Sequence, residues 1–403
     1  MLLPPHSDFT PITDMTHSLC HTPLRRRLLV GLAASVFASS ALLLPIGDGH
    51  ASETAGDRIL IGNSSALTGP LAPLSMEYVD GAKLYFDTVN RRGGINGKRL
   101  ELVVLDDEYS PDKAEENARR LINEHGVFAL FACFGTGPAL RAMPVALAAD
   151  VPFFAPYTGA DALREPPNAN VFHLRASYSR EIERIVEHLT MLGVKSIGVV
   201  HHADAFGEAG LQAARAALAL RGLEPAVTAA IDMTANDASE PARLVAEANP
   251  AALILVAAGR TPPMMIRALR ETTAQPMLYG LSVISSSELV RTLGRDAHGL
   301  ALAQVTPSPF RLDYPVVRDY RRDADSAGME YSYAGLEGYL AAAVFSEALR
   351  QAGSNPTRDV FRQALAGMAN TDIGGLKLVG TTANPVGLDF IDLTVISHGR
   401  FGR

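Results

Sequence analysis

The sequence predicts an α/β protein built as two doubly wound parallel-sheet lobes. Two observations carry this. From residue 57 onward, short wholly apolar segments alternate with amphipathic helical ones, and the alternation restarts near Ser177. A strand apolar on both faces needs cover on both, as in a parallel sheet enclosed by helices, and two such runs make two lobes. A length of 403 residues leaves room for both, and 47% hydrophobic with 20% charged residues is the composition of a packed globular chain.

In the first run, Ile59 to Gly62 is the opening strand. Val79, Ala82, Phe86 and Val89 then recur at helical spacing until Arg91-Arg92-Gly93-Gly94 stops the helix. Leu100 to Leu105 is the next strand, and Ser110-Pro111 opens a helix with a cap residue and a proline in the first turn. Val127 to Ala132 and Val151 to Ala155 are further strands, separated by a helix starting near Gly137-Pro138. In the second run a helix with Ile182, Ile185, Val186 and Leu189 precedes the strand Ser196 to Val200. A helix from Gly207, a strand near Val227, a helix near Leu244, the strand Ala251 to Ala257 and a helix after Thr261-Pro262-Pro263 follow.

The N-terminus has another character. Arg25-Arg26-Arg27 precedes the uncharged run Leu28 to Leu44, then Pro45, Gly47 and the small residues of Gly49-His50-Ala51. That is the order of a secretory signal peptide cleaved near Ala51, residues 1–51. A membrane anchor is the alternative, but the run is near the lower length for spanning and a cleavage site follows it. The arginines partly match a twin-arginine signal, with Leu24 where Ser or Thr is usual, so general or twin-arginine export stays open. Met15 is an alternative start. The remaining chain keeps the formal charge of −7, which disfavours nucleic acid as a partner, and retains one cysteine, Cys133, so no disulfide is available.

In doubly wound sheets ligands sit beyond the carboxyl ends of the strands, so the loops there are the candidate sites. Phe134-Gly135-Thr136-Gly137-Pro138 follows a strand and opens a helix, where free N–H groups favour an anion. The dinucleotide fingerprint fails at Leu140, and no cofactor is expected. Pro156-Tyr157-Thr158-Gly159-Ala160 offers an aromatic face, a hydroxyl and bare backbone, which suits a pocket and equally a plain loop. His201-His202-Ala203-Asp204 with Glu208 invites a metal, yet adjacent strand residues face opposite ways, and solvated loop residues are the better reading. Cys133 reads as a reactive thiol or a small core residue, and Arg260 as an anion ligand or a surface arginine. Neither a G-x-S-x-G elbow nor an H-E-x-x-H pair is present.

Several stretches, in order and spacing, resemble the Leu/Ile/Val-binding type of periplasmic receptor, the solute-binding component of ABC importers. They are Leu67-Thr68-Gly69-Pro70, Arg91 to Lys98, Asp106-Asp107 with Pro111, Val151-Pro152, Asp204-Ala205-Phe206-Gly207 and Ser332 to Tyr339. The resemblance implies two lobes joined by a three-strand hinge, with 57–174 plus 306–375 in one and 175–305 plus 376–403 in the other and the hinge return. It places the first lobe's pocket on Cys133, Phe134, Gly135, Thr136, Tyr157, Thr158 and Gly159, with Phe206 closing from the second lobe and Arg260 beside it. Where the family sets a serine on the ligand carboxylate, Cys133-Phe134-Gly135 stands here, and where it sets an acid on the ammonium, Ser282 does. A buried ammonium without a counter-charge is costly, so organic or aromatic acids and amides compete with an amino acid. The implied function is delivery of a small solute by a periplasmic monomer to an ABC permease. A sensory receptor and a hydrolase using Cys133 are the alternatives, and the latter lacks an activating base.

Overall fold

The computed structural model describes residues 56–284, 287–381 and 386–401. The expected export signal lies outside them. The chain begins β1 (Arg58–Ser65), α1 (Ala72–Arg91), β2 (Arg99–Asp106), α2 (Pro111–Asn123), β3 (Ala129–Phe131), α3 (Thr136–Ala148), β4 (Phe153–Phe154) and β5 (Val171–Phe172). These strands form a parallel five-stranded sheet in the order β2-β1-β3-β4-β5. Ser110 caps α2 through the Lys113 N–H, with Pro111 in the first turn, as its sequence predicts.

The second lobe continues with α4 (Tyr178–Met191), β6 (Ile197–His202), α5 (Ala205–Ala219), β7 (Thr228–Ile231), α6 (Ser239–Ala248), β8 (Ala252–Val256), α7 (Thr261–Arg270), β9 (Met277–Gly280), α8 (Ser287–Leu293) and β10 (Ala301–Gln304). The chain then runs through α9 (Pro315–Ala327), α10 (Tyr333–Gln351) and α11 (Arg358–Ala366), which pack against the first lobe. Three short strands, β11 (Asp372–Ile373), β12 (Leu376–Val379) and β13 (Gly387–Leu388), pair antiparallel. Finally β14 (Asp392–Ser397) and β15 (Arg400–Phe401) join the second sheet, whose order is β15-β14-β10-β9-β8-β6-β7. That sheet is parallel from β7 to β10, with two antiparallel strands, β14 and β15, at its edge.

The chain passes between lobes after β5, after β10 and before β14. The first and third passages are tied together, since the Leu388 N–H donates to the Leu174 carbonyl at 2.7 Å. Next to Leu174, the buried guanidinium of Arg175 stands 3.7 Å from Glu181 of α4 and 3.5 Å from Glu337 of α10. Its Nη2 also donates to the Ser282 hydroxyl, and Ser282 in turn donates to Glu181 through N–H (2.8 Å) and Oγ (3.0 Å). Burial works against charge on Arg175, but Glu337, Tyr157 and Glu181 outweigh it and hold the guanidinium above its usual value. Burial raises both acids, Glu337 to about 7, with Arg175 opposing the rise in each case.

Helix α10 is buried along most of its length and packs closely on α1. Glycines permit this approach. A Cβ on Gly81 would lie 1.9 Å from the Gly335 carbonyl oxygen, and one on Gly338 would lie 2.0 Å from that of Tyr78. Because backbone stands in the way, Gly338→Ala is expected to destabilise the protein by about 1–3 kcal/mol, read as a lower urea midpoint. Glu337 supplies a pH test. Its folded pKa is raised, so between its ordinary value of 4.5 and about 7 the native state holds a proton that the unfolded state has lost. The stability it contributes is present below 4.5 and declines as pH rises to about 7. Urea midpoints across this window are expected to fall less steeply with pH in Glu337→Gln than in the unsubstituted protein.

Candidate functional site

The first lobe's wall of the cleft starts with two sequence motifs clamped to each other. Asp106 accepts from the Leu67 N–H (2.9 Å) and the Thr68 hydroxyl (2.7 Å), and Asp107 accepts from Ser64 Oγ (2.7 Å). Asp107 also accepts from the N–H of Tyr109, at 2.8 Å. Tyr109 takes a left-handed conformation with φ 61°, and its side chain reaches the cleft. Burial pushes the Asp107 carboxyl up to about 6, with the Ser64 bond opposing.

Beyond β3 and β4, Phe134 and Tyr157 bridge the strand ends and their rings stack at 5.1 Å. Tyr78 meets Tyr157 at 4.6 Å, and Tyr109 meets Phe134 at 6.2 Å, making a continuous aromatic wall. Between these elements sits Gly135, the cap of α3, with φ 91°. A Cβ there would come 2.3 Å from the Tyr109 ring, so glycine is required by both conformation and space. Thr136 opens α3 and its hydroxyl shares a 2.7 Å bond with that of Thr158. The amide donors of the first turn of α3 start at this point.

The second lobe faces this wall with Phe206, Tyr178, Ala258 and Val283. Asp204 caps α5 by accepting from the Gly207 N–H at 2.8 Å, which fixes Phe206 in the first turn. The Phe206 ring packs on Tyr178 at 5.3 Å and on His202 at 5.7 Å. His202 is fully buried on β6 and bonded to Thr261 at 2.6 Å, which corrects its reading as a solvated loop residue. Burial lowers its pKa, and Asp204 opposes that shift.

The lobes meet closely. The Ser287 N–H of the second lobe donates to Glu77 of the first at 3.1 Å, and Gly259 sits against the Pro70 carbonyl. Between the aromatic walls remains a cavity of ≈ 20 Å³. That is room for about one water molecule. Leu71, Leu74, Tyr109, Phe134, Gly135, Thr136, Tyr157, Tyr178, Phe206, Ala258 and Val283 line it, and none of these carries a formal charge at neutral pH.

Of the sequence-predicted site residues, Phe134, Gly135, Thr136, Tyr157 and Phe206 are brought together around this cavity. Thr158 and Gly159 stand one layer behind. Thr158 supports Thr136, and the Gly159 carbonyl accepts from the Tyr178 N–H at 2.8 Å. Ser282 belongs to the Arg175 cluster, and the Arg175 guanidinium lies 4.6 Å over the Tyr157 ring. Arg260 does not line the cavity. It is exposed, and its guanidinium donates to the Thr234 carbonyl at 2.5 Å, outside the cleft. Sequence reasoning missed Leu71, Leu74, Tyr109, Tyr178 and Arg175. Leu71 directly follows Leu67-Thr68-Gly69-Pro70 and Tyr109 follows Asp106-Asp107, so adjacency to those motifs was the available signal.

Cys133 is buried and outside the cavity lining, where its carbonyl accepts from the Tyr157 N–H at 2.9 Å. Burial pushes its thiol up to about 12, which leaves it protonated and poorly nucleophilic at neutral pH. Native protein is expected to resist iodoacetamide at about pH 8 and to be alkylated once unfolded in urea. Rapid labelling of the folded form would refute this burial.

The chain matches the family described as Periplasmic binding protein over residues 58–386. A substrate-binding periplasmic protein from Ralstonia solanacearum is 30% identical, with a TM-score of 0.80 over 84% of this chain and 98% of that one. A possible leucine/isoleucine/valine-binding protein from Rhodopirellula baltica SH 1 is 27% identical, with a TM-score of 0.78 over 86% of this chain and 96% of that one. Among curated relatives, Leu/Ile/Val-binding protein homolog 7 of Brucella abortus is 30% identical over 128 residues, a match spanning 32% of this chain and 32% of that protein. This chain therefore belongs to the periplasmic binding protein family, alongside relatives named Leu/Ile/Val-binding proteins.

Proposed function

We propose that the protein is an exported periplasmic receptor that captures a small carboxylate with an apolar body between its lobes and delivers it to an ABC permease. The carrying observation is the cavity lining. Tyrosines and phenylalanines surround the start of α3, with no acidic side chain among the lining residues. The first-turn amides of α3 and the Thr136 hydroxyl suit an anionic head, and the helix dipole adds to the attraction. The aromatic walls suit a less polar body. An α-ammonium would need a counter-charge that the lining does not supply, which favours organic or aromatic acids over amino acids. Arg260, bonded outside the cleft, has no part in this recognition.

Support for a closing mechanism comes from the size of the cavity. A space of ≈ 20 Å³ admits no organic acid, so the lobes must separate for loading and re-form their contacts around the solute. We take residues 57–174 with 306–375 as one moving body and 175–305 with 376–403 as the other, the latter including the hinge return. Support lies in the three passages after β5, after β10 and before β14. The arginine-led apolar run before residue 52 supports export, and the receptor acts as a monomer.

A thermal-shift screen comparing benzoate, 4-hydroxybenzoate and 4-methylpentanoate with leucine, valine and benzamide tests the ligand class. Acids are expected to raise the melting point more than amino acids or the amide, because a ligand bound to the native state stabilises by mass action. For the best acid, Thr136→Val is expected to cost about 1–3 kcal/mol of binding by leaving polar groups unpaired. Phe206→Ala is expected to cost at least as much, and Arg260→Ala to leave affinity within about 0.5 kcal/mol of wild type. Shifts confined to leucine and valine would overturn the ligand class, and full affinity in both Thr136→Val and Phe206→Ala would overturn the site.

A further inference from the structure

Away from the central cavity, a second and much larger groove of ≈ 830 Å³ opens at the side of the molecule, and the two share no lining residue. One wall comes from α9 and the turn into α10, which pack against the first lobe, and the other from α8 and β15 of the second. The segment after β10 crosses between them and contributes Phe310. This volume falls within the ordinary range for small-molecule sites, about 300–1,000 Å³.

The groove's chemistry is uneven in an informative way. Phe310 and Phe401 stack at 5.9 Å with their planes 14° apart, and Phe310 keeps 38% of its surface exposed. Around this aromatic floor stand Arg311, Arg321 and Arg400. Arg321 is held flat by the Tyr331 ring, 4.6 Å away, and by the Phe310 carbonyl at 3.2 Å. Arg311 pairs with Asp313 at 2.8 Å in an exposed ion pair, the kind that contributes little and is easily exchanged. Arg400 is exposed and has no acidic partner among the described residues. The one acid in the lining, Glu330, faces Arg291 of α8 at 4.0 Å. In a chain of net charge −7, three arginines around an exposed aromatic stack form a local reversal of sign. Guanidinium forks take carboxylate or sulfonate oxygens in pairs, and the phenyl stack offers a face to a ring.

We propose that this groove is a second ligand site, for a bulky aromatic anion whose rings lie on Phe310 and Phe401 and whose acid group meets Arg321 and Arg400. Both lobes supply walls, so an occupant here favours one lobe arrangement and is thermodynamically coupled to a solute in the central cleft. The site stands apart from the proposed cleft ligand and does not rest on it.

The probe is 8-anilinonaphthalene-1-sulfonate, followed by fluorescence with the purified protein, alongside the uncharged N-phenyl-1-naphthylamine. One saturable site per chain is expected for the sulfonate, with the uncharged analogue bound at least about tenfold more weakly. Arg400→Glu and Phe310→Ser are each expected to weaken the sulfonate at least about tenfold, while Arg260→Ala, outside both cavities, stays within about twofold. Circular dichroism melts of the variants establish that each is folded, and Arg400→Lys, which keeps the charge but not the fork, is expected to fall between wild type and Arg400→Glu. Absence of saturable binding, wild-type affinity in both Arg400→Glu and Phe310→Ser, or loss in Phe206→Ala alone would each overturn the proposal. The last outcome would place the dye in the central cleft. Failure of the cleft reading shows elsewhere, in Thr136→Val and in the acid screen.

Discussion

A guanidinium buried where the chain first leaves one lobe for the other constrains much of this structure. Arg175 cannot be left unpaired there, because the cost of an isolated buried charge far exceeds what packing contributes locally. Its partners come from different parts of the chain, Glu181 and Ser282 on the second lobe and Glu337 on α10, which packs against the first. The pairing therefore fixes where α10 must lie relative to the first passage. The glycines at 81 and 338 make that position reachable by letting α1 and α10 approach at backbone distance. Burial raises the Glu337 carboxyl, Arg175 opposes the rise, and the second acid, Glu181, adds to it. Replacing the cluster with apolar groups would solve the same packing problem at less desolvation cost. What the ionic version adds is direction, since this arrangement of the elements brings Glu181, Ser282 and Glu337 to a single guanidinium.

That cluster also supports the cleft. Arg175 lies over the outer face of Tyr157, whose ring stacks with Phe134 against the cavity. A cation on one face of an aromatic ring holds the ring in place, so the wall is set by the hinge as well as by its own strands. On the far side, the Ser287 N–H bond to Glu77 and the long Arg291 to Glu330 pair reach across between the lobes. Each contributes at most a kcal/mol or so net, about the worth of an ordinary hydrogen bond exchanged for water. Opening therefore costs chiefly the exposure of Tyr109, Tyr178, Phe134 and Phe206. A solute that covers those rings again recovers that cost, which makes closure responsive to occupancy.

The loops that form the cleft were legible in sequence because parallel strands declare their ends, and ligand loops lie beyond them. Phe134 to Thr136, Tyr157 and Phe206 follow from that rule with the family resemblance. The rule locates a loop without saying where each side chain points, and the misreadings share that cause. Tyr109 reaches the cleft because a left-handed backbone at residues 108 and 109, held by Asp106 and Asp107, turns it inward. Arg260 sits at the start of α7 with a reach long enough to find the Thr234 carbonyl instead. Opposite-facing neighbours argue against a shared metal at His201 and His202 but not for solvation, since on a strand inside the sheet one of the two must face a covering helix. Arg175 and Glu337 are 162 positions apart, and no periodicity announces a pairing at such range.

The two cavities divide the polar chemistry of the molecule in a way that bears on how it selects a solute. The central one is lined by groups without formal charge, so in the proposed reading a head group there meets amides and hydroxyls in fixed positions. Such recognition is strict, because any mismatch leaves a buried donor unpaired at about 1–3 kcal/mol. The lateral groove carries its arginines on an open surface, where water screens charge and geometry is less demanding. Strictness in the enclosed space and permissiveness in the open one follow from the same principle, that an unmade hydrogen bond matters in proportion to how thoroughly water is excluded. In the proposed reading, selectivity therefore depends on complete closure as much as on the identity of the lining, since only the closed cleft turns a missing hydrogen bond into a lost ligand.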